Sequence, residues 1–174
     1  MNWPDFSPGS QAANPGWADW LVFVAPAFKP GVIENNSPGA LALDQKQHNM
    51  ILGIGTDLIE VERVAEKLEK KTGFRELVFS AHEIAYCERM AFKYEHYAAR
   101  FAAKEAFLKA IGTGWRSGTA FNEIEIYNDE EGKPEMRFLG HTAETVAKLN
   151  AGKIFVSLSH LKTMACAMVL IEAL

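Results

Sequence analysis

Cysteine is nearly absent: Cys87 and Cys166 are the two in 174 residues. They make no disulfide framework and have no zinc-ligand spacing. Both read as buried thiols in a reducing compartment, which points to the cytoplasm. An excess of basic charge is missing too. The net charge is −4 and the isoelectric point about 5.8, which argues against a general nucleic-acid binder and leaves room for a local basic stripe. No apolar run is long enough to cross a bilayer, so no membrane partner is expected. Proline all but disappears after residue 49, where only Pro134 of the seven remains.

What is present divides the chain in two. Residues 1–49 hold six prolines among Gly, Asn and Ser, with little periodicity. Their short apolar island, Trp17 to Phe28, is not preceded by Lys or Arg and contains Asp19, so it is no secretory signal. The segment reads as a poorly ordered extension, as residues upstream of a true start at Met50, or as a strap docked on the domain. Residues 50–174 are regular, with room for one domain and a real core. Strands are expected at 50–55, 121–128, 135–139, 154–159 and 164–172. Helices are expected at 59–71, 75–79, 80–90, 93–111 and 141–150. The Ser80-Ala81-His82-Glu83 capping box opens the third helix. The order implies an α+β fold, mostly antiparallel, with one long packed helix.

That long helix carries an unusual charge pattern. Arg100 and Lys104 lie on one strip of the helical wheel, and Glu105 and Lys109 on another. Apolar residues fill both gaps between the strips, so the helix is expected to be packed twice, with charges at the seams. A lone exposed Glu105–Lys109 pair at i, i+4 is the plainer reading, worth about 0.3–0.5 kcal/mol. Three other stretches carry chemistry. In Gly53-Ile54-Gly55-Thr56-Asp57, a buried strand delivers either a carboxylate for a hard cation or a helix N-cap. Gly112-Thr113-Gly114 is either a helix C-cap or an anion-binding turn. In Ser157-Leu158-Ser159-His160, neighbouring side chains point to opposite faces of a strand, which disfavours a Ser–His nucleophile and leaves His160 as a phosphate contact or turn residue. On the helix from Ile59, Arg63, Lys67, Lys70 and Lys71 form a basic stripe, either a solvated face or a steering surface for an acidic partner.

In order, Gly53–Glu60, Arg100–Gly114 and Ser157–His160 before a final apolar strand resemble the short, single-repeat 4′-phosphopantetheinyl transferases of the holo-[acyl-carrier-protein] synthase type. The resemblance runs from Met50 to Leu174, and residues 1–49 depart from it. It implies transfer of the phosphopantetheine arm of coenzyme A to a serine of apo acyl carrier protein, releasing adenosine 3′,5′-bisphosphate, in fatty acid biosynthesis. By the same resemblance, Asp57 and Glu105 hold Mg²⁺, Glu105 is the base, and Lys109 serves the departing phosphate. Arg100, Lys104, Lys109, Gly112 and His160 contact coenzyme A. Arg63 and Lys70 contact the carrier protein, and the assembly is a homotrimer. Two alternatives of another class remain: a non-catalytic nucleotide-binding adaptor, and a hydrolase using Ser159 and His160.

Overall fold

The structure is a computed structural model in which residues 50–114 and 118–174 are described. The expectations for residues 1–49 fall outside the described residues. Chain order is β1 (Ile51–Glu60), α1 (Val61–Glu69), α2 (Phe74–Val78), α3 (Ala81–Cys87), α4 (Lys93–Ala110), β2 (Ile124–Asn128), β3 (Pro134–Phe138), α5 (Gly140–Ala147), β4 (Ala151–His160) and β5 (Met164–Ala173). A short 3-10 turn, Phe121–Glu123, leads into β2.

Two antiparallel sheets flank α4. The larger has the order β1-β5-β4, and the smaller is the β2-β3 hairpin. On the inner face of the larger sheet, Gly55 of β1 pairs with Val169 of β5, which pairs with Val156 of β4. Asp57 pairs with Ala167 and Ile59 with Ala165 in the next rows. This face packs on α4, while α1, α3 and β2 contact α4 from its other side. Phe101 stacks on Phe121 at 5.7 Å, Tyr97 meets Phe79 at 4.7 Å, and Phe107 meets Phe138 at 4.7 Å. Tyr97, Ala103, Ala106 and Phe107 have no exposed surface at all. The expected double packing of the long helix is therefore present, but both surfaces come from the chain itself.

Local rules explain the element ends. Ser80 accepts the Glu83 N–H at 3.2 Å and Glu83 accepts the Ser80 N–H at 2.8 Å, so the capping box is closed. Two expectations need correction. β1 continues to Glu60, five residues beyond Gly55, because Thr56 to Glu60 pair in register with Met168 to Met164. The first helix consequently starts at Val61, not Ile59. Cys166 is also exposed, since it sits on the outer sheet face opposite Leu58 and Ser159.

Candidate active site

Gly53 and Gly55 decide where the site forms. A Cβ on Gly53 would lie 2.1 Å from the Ala110 carbonyl oxygen, and one on Gly55 would lie 2.0 Å from that of Ala106. Only glycine lets the β1 backbone touch α4 this closely. Small residues on the helix side, Ala106 and Ala110, complete the groove. Contact at these points carries Asp57, two residues further along β1, to the C-terminal half of α4.

There Asp57 meets Lys109. Lys109 Nζ donates to Asp57 Oδ1 at 2.8 Å and to the Thr56 carbonyl at 3.1 Å. Asp57 is buried, whereas the Lys109 side chain is half exposed and so faces an opening. Asp57 caps nothing: the N-cap of α1 is Glu60, without a side-chain cap, and Asp57 lies three residues upstream on the strand. Glu105 stands one helical turn before Lys109. Burial pushes its carboxyl up to about 7, with the nearby Asp57 charge adding to the rise and Lys109 opposing it. Burial likewise raises Asp57, against the hydrogen bond and charge of Lys109 and the charge of Arg63. Arg63 thus places the start of the α1 basic stripe beside the site. Lys70 lies at the far end of α1, exposed.

Two like charges brought together where β1 packs on α4 are an arrangement that a divalent cation relieves. Among the described residues, no group of three or more His, Cys, Asp and Glu could hold a metal. The pair Asp57–Glu105 is nonetheless a fitting donor set for Mg²⁺, which takes one or two carboxylates and fills its remaining positions with water and substrate phosphate.

A second cluster lies where α4 begins. His160 is the last residue of β4, on the inner face, and its Nδ1 is 3.0 Å from Glu95 Oε2. The His96 ring is 5.2 Å from that of His160. Arg100 is buried with its guanidinium 3.9 Å above the Tyr86 ring and donates to Asn128 Oδ1 at 2.9 Å. Its buried Nε finds no partner among the described residues. Burial lowers His96, and the neighbouring His160 and Arg100 add to that effect. Ten residues, about 15 Å of helix, separate Glu95 from Glu105. Ser159 and His160 point to opposite faces, as strand geometry requires, so they form no nucleophile–base pair. Gly112 follows the C-cap Ile111 with φ +69° and donates to the Lys109 carbonyl at 3.1 Å, completing a left-handed helix end.

Lys104 is the correction. Its ammonium is fully buried and donates to Glu83 Oε2 at 2.7 Å, Val78 O at 2.7 Å and Phe121 O at 2.8 Å. Three donors meet three acceptors, so none is left for a phosphate of coenzyme A. The wheel separated Lys104 from Glu105 correctly, but its strip faces the chain's own interior.

The sequence model described as the 4′-phosphopantetheinyl transferase superfamily matches residues 53–168. The chain belongs to this superfamily. The holo-[acyl-carrier-protein] synthase of Geobacter metallireducens is 45% identical over 124 residues, covering 71% of this chain and 98% of that protein. That of Cytophaga hutchinsonii is 48% identical over 126 residues, 70% of this chain and 97% of that protein. Among solved structures, the Neisseria meningitidis holo-[acyl-carrier-protein] synthase superposes with a TM-score of 0.66 at 31% identity, covering 71% and 99% of the two chains. A Bacillus anthracis holo-(acyl-carrier-protein) synthase in complex with CoA (3′,5′-ADP) gives 0.60 at 35%, covering 72% and 99%. Within this phosphopantetheinyl transferase, three residues near the site escaped the sequence reading: Glu83, Glu95 and His96. Glu83 was visible only as a capping residue. Glu95 and His96 gave no signal, because their partner is 65 positions away for Glu95.

Proposed function

We propose that the chain transfers the 4′-phosphopantetheine arm of coenzyme A to a serine hydroxyl of apo acyl carrier protein, releasing adenosine 3′,5′-bisphosphate. The observation that carries this reading is the Asp57–Glu105–Lys109 constellation, in a chain that is 45% identical to a holo-[acyl-carrier-protein] synthase across nearly all of that protein. Asp57 and Glu105 are the residues to hold Mg²⁺. When bound, the ion neutralises charge on the pyrophosphate and aligns it for in-line attack. Glu105 is also the residue placed to accept the proton of the carrier serine. Lys109, half exposed beside Asp57, faces the phosphate that leaves and neutralises its growing charge. The left-handed turn at Gly112 leaves open space for the substrate beside Lys109.

The cluster at the start of α4 suits the nucleotide end of the substrate. His160, fixed by Glu95, supplies a donor for phosphate, and Arg100, buried against Tyr86, adds positive charge to this end of the helix. Arg63 beside the site, and Lys70 at the far end of α1, are the basic residues that would meet an acidic carrier protein. The domain assigned to this chemistry is 50–174. A homotrimer in the cytoplasm is the assembly and compartment proposed here. Support for association lies on the outer sheet face, where Ile54, Leu58, Phe155 and Met168 stand exposed. Among the described residues no helix is long and apolar enough to cross a membrane.

The test is an intact-mass assay. Apo acyl carrier protein, coenzyme A, Mg²⁺ and the chain should give a carrier protein heavier by one phosphopantetheine. Chelation of the metal should stop the gain. A folded chain that leaves the carrier mass unchanged would sink the reading.

A further inference from the structure

Lys104 and Glu83 are both fully buried, and neither reaches the opening beside Lys109. Their network is complete. Beyond the three bonds of the Lys104 ammonium, Glu83 Oε2 accepts the Ser80 N–H at 2.8 Å, and Oε1 accepts the Ile126 N–H at 3.1 Å. Burial presses Lys104 toward its neutral form, and the Glu83 charge opposes that. A buried ion pair is poor evidence for stability alone, because apolar residues of similar volume do as well or better. The geometry gives this one a different task.

The pair ties four segments to one side of α4: the end of α2 at Val78, the start of α3 at Ser80, the turn at Phe121, and β2 at Ile126. On another side of the same helix, Ala106 and Ala110 rest against Gly55 and Gly53. Lys104 immediately precedes Glu105, about 100° away around the helix. Turning α4 about its axis breaks the Lys104 bonds; shifting it toward β1 drives backbone into backbone. Side chains reach about 5–6 Å from a helix axis. A rotation of about 10° would therefore move the Glu105 carboxylate by roughly 1 Å, a displacement that can cost on the order of 10²-fold in rate.

We infer that the Lys104–Glu83 pair is a positioning element: it sets the azimuth of Glu105 against Asp57, and with it the spacing of the two carboxylates. This rests on the proposed transferase reading. Glu83 and Lys104 touch no substrate; they act through the helix.

The double variant Glu83→Gln/Lys104→Met removes both charges while keeping volume. Its circular dichroism and melting curve establish folding. The expected result is a cooperative fold with kcat lowered about 50-fold or more, since the shift is on the scale of 1 Å. The KM for carrier protein should stay unchanged. The Mg²⁺ concentration for half-maximal rate should rise about tenfold, and so should the Mn²⁺ concentration needed to raise the melting temperature without substrate. A purely structural pair predicts instead an altered melting temperature with wild-type kcat and metal requirement, which overturns the inference. Glu83→Asp is the milder companion should the double variant fail to fold. It keeps the charge and draws Lys104 back by one methylene, and it should show the same two metal shifts. Wild-type behaviour in folded Glu83→Asp also overturns the inference. The unaltered chain runs alongside in the intact-mass assay: if it transfers nothing, the transferase reading falls first and this inference with it.

Discussion

Replacing Gly55 with alanine adds one methyl group where β1 touches α4. On backbone propensity alone the change should help, because glycine in a strand interior costs about 0.5–1 kcal/mol relative to alanine. The structure reverses the sign. The new Cβ would stand 2.0 Å from the Ala106 carbonyl oxygen and 2.7 Å from the Ala110 nitrogen. Both are backbone atoms, so no side-chain rotation can make room. An ordinary C···O approach is about 3.3–3.6 Å, so β1 must retreat by roughly 1.3–1.6 Å. Overpacking of this kind costs about 1–3 kcal/mol, and rigid neighbours place it at the upper end. Net of the propensity gain, a loss of about 2 kcal/mol is expected, or on the order of 5–10 °C in melting temperature for a domain of this size. Asp57 rides on the displaced strand, so its 2.8 Å bond to Lys109 opens. Transfer should fall about 10²-fold, as for a misplacement of 1 Å. Thermal melts and the intact-mass assay, run on one preparation, read both effects. A variant as stable and as active as wild type would refute the close-approach argument.

Glu105 sets a pH dependence. Its carboxyl titrates near 7 in the folded chain against an ordinary 4.5, so the unfolded chain loses this proton first. Folding stability from this group is therefore full below about pH 4.5, declines as pH rises through 7, and is lower by roughly 3 kcal/mol above it. In metal-free buffer Glu105→Gln should be the more stable protein at pH 8, with the advantage gone by pH 4; a pH-independent difference would contradict the assigned environment. Lys109→Met should lower kcat about 10²–10³-fold while leaving the circular dichroism spectrum unchanged, and near-normal turnover would remove Lys109 from its leaving-group role. Arg63→Glu should raise the KM for carrier protein on the order of tenfold and change that for coenzyme A little; equal changes would count against a carrier-protein surface. A shortened chain beginning at Met50 should match the full chain in turnover and melting temperature, and loss of either would give residues 1–49 a structural duty.

Much of the fold is local and was legible. The Ser80–Glu83 capping box, the alternation of β2 and β3, and the strong helix formers from Lys93 to Ala110 each fix an element from neighbours in sequence. The boundary between β1 and α1 was not legible, because Thr56 to Glu60 owe their extended form to β5, more than a hundred residues away. The site divides in the same way. The two strips on α4 were readable from spacing. Which strip faced solvent was not, since that depends on where α2, α3 and β2 fold back. Lys104 consequently looked like a phosphate ligand and is the interior anchor of Glu83. Gly53 and Gly55 were read as delivering Asp57, and their physical reason, contact with the helix backbone, needed the packing itself.

Asp57 and Glu105, brought together by the β1–α4 contact, are the residues proposed to carry phosphopantetheine transfer. The most direct test of that role compares wild type with Glu105→Gln in the intact-mass assay at saturating Mg²⁺ and coenzyme A. Both proteins are first verified as folded by their melting curves. Wild type should give a carrier protein heavier by one phosphopantetheine, and the variant no detectable gain. Equal gain with both would contradict that role.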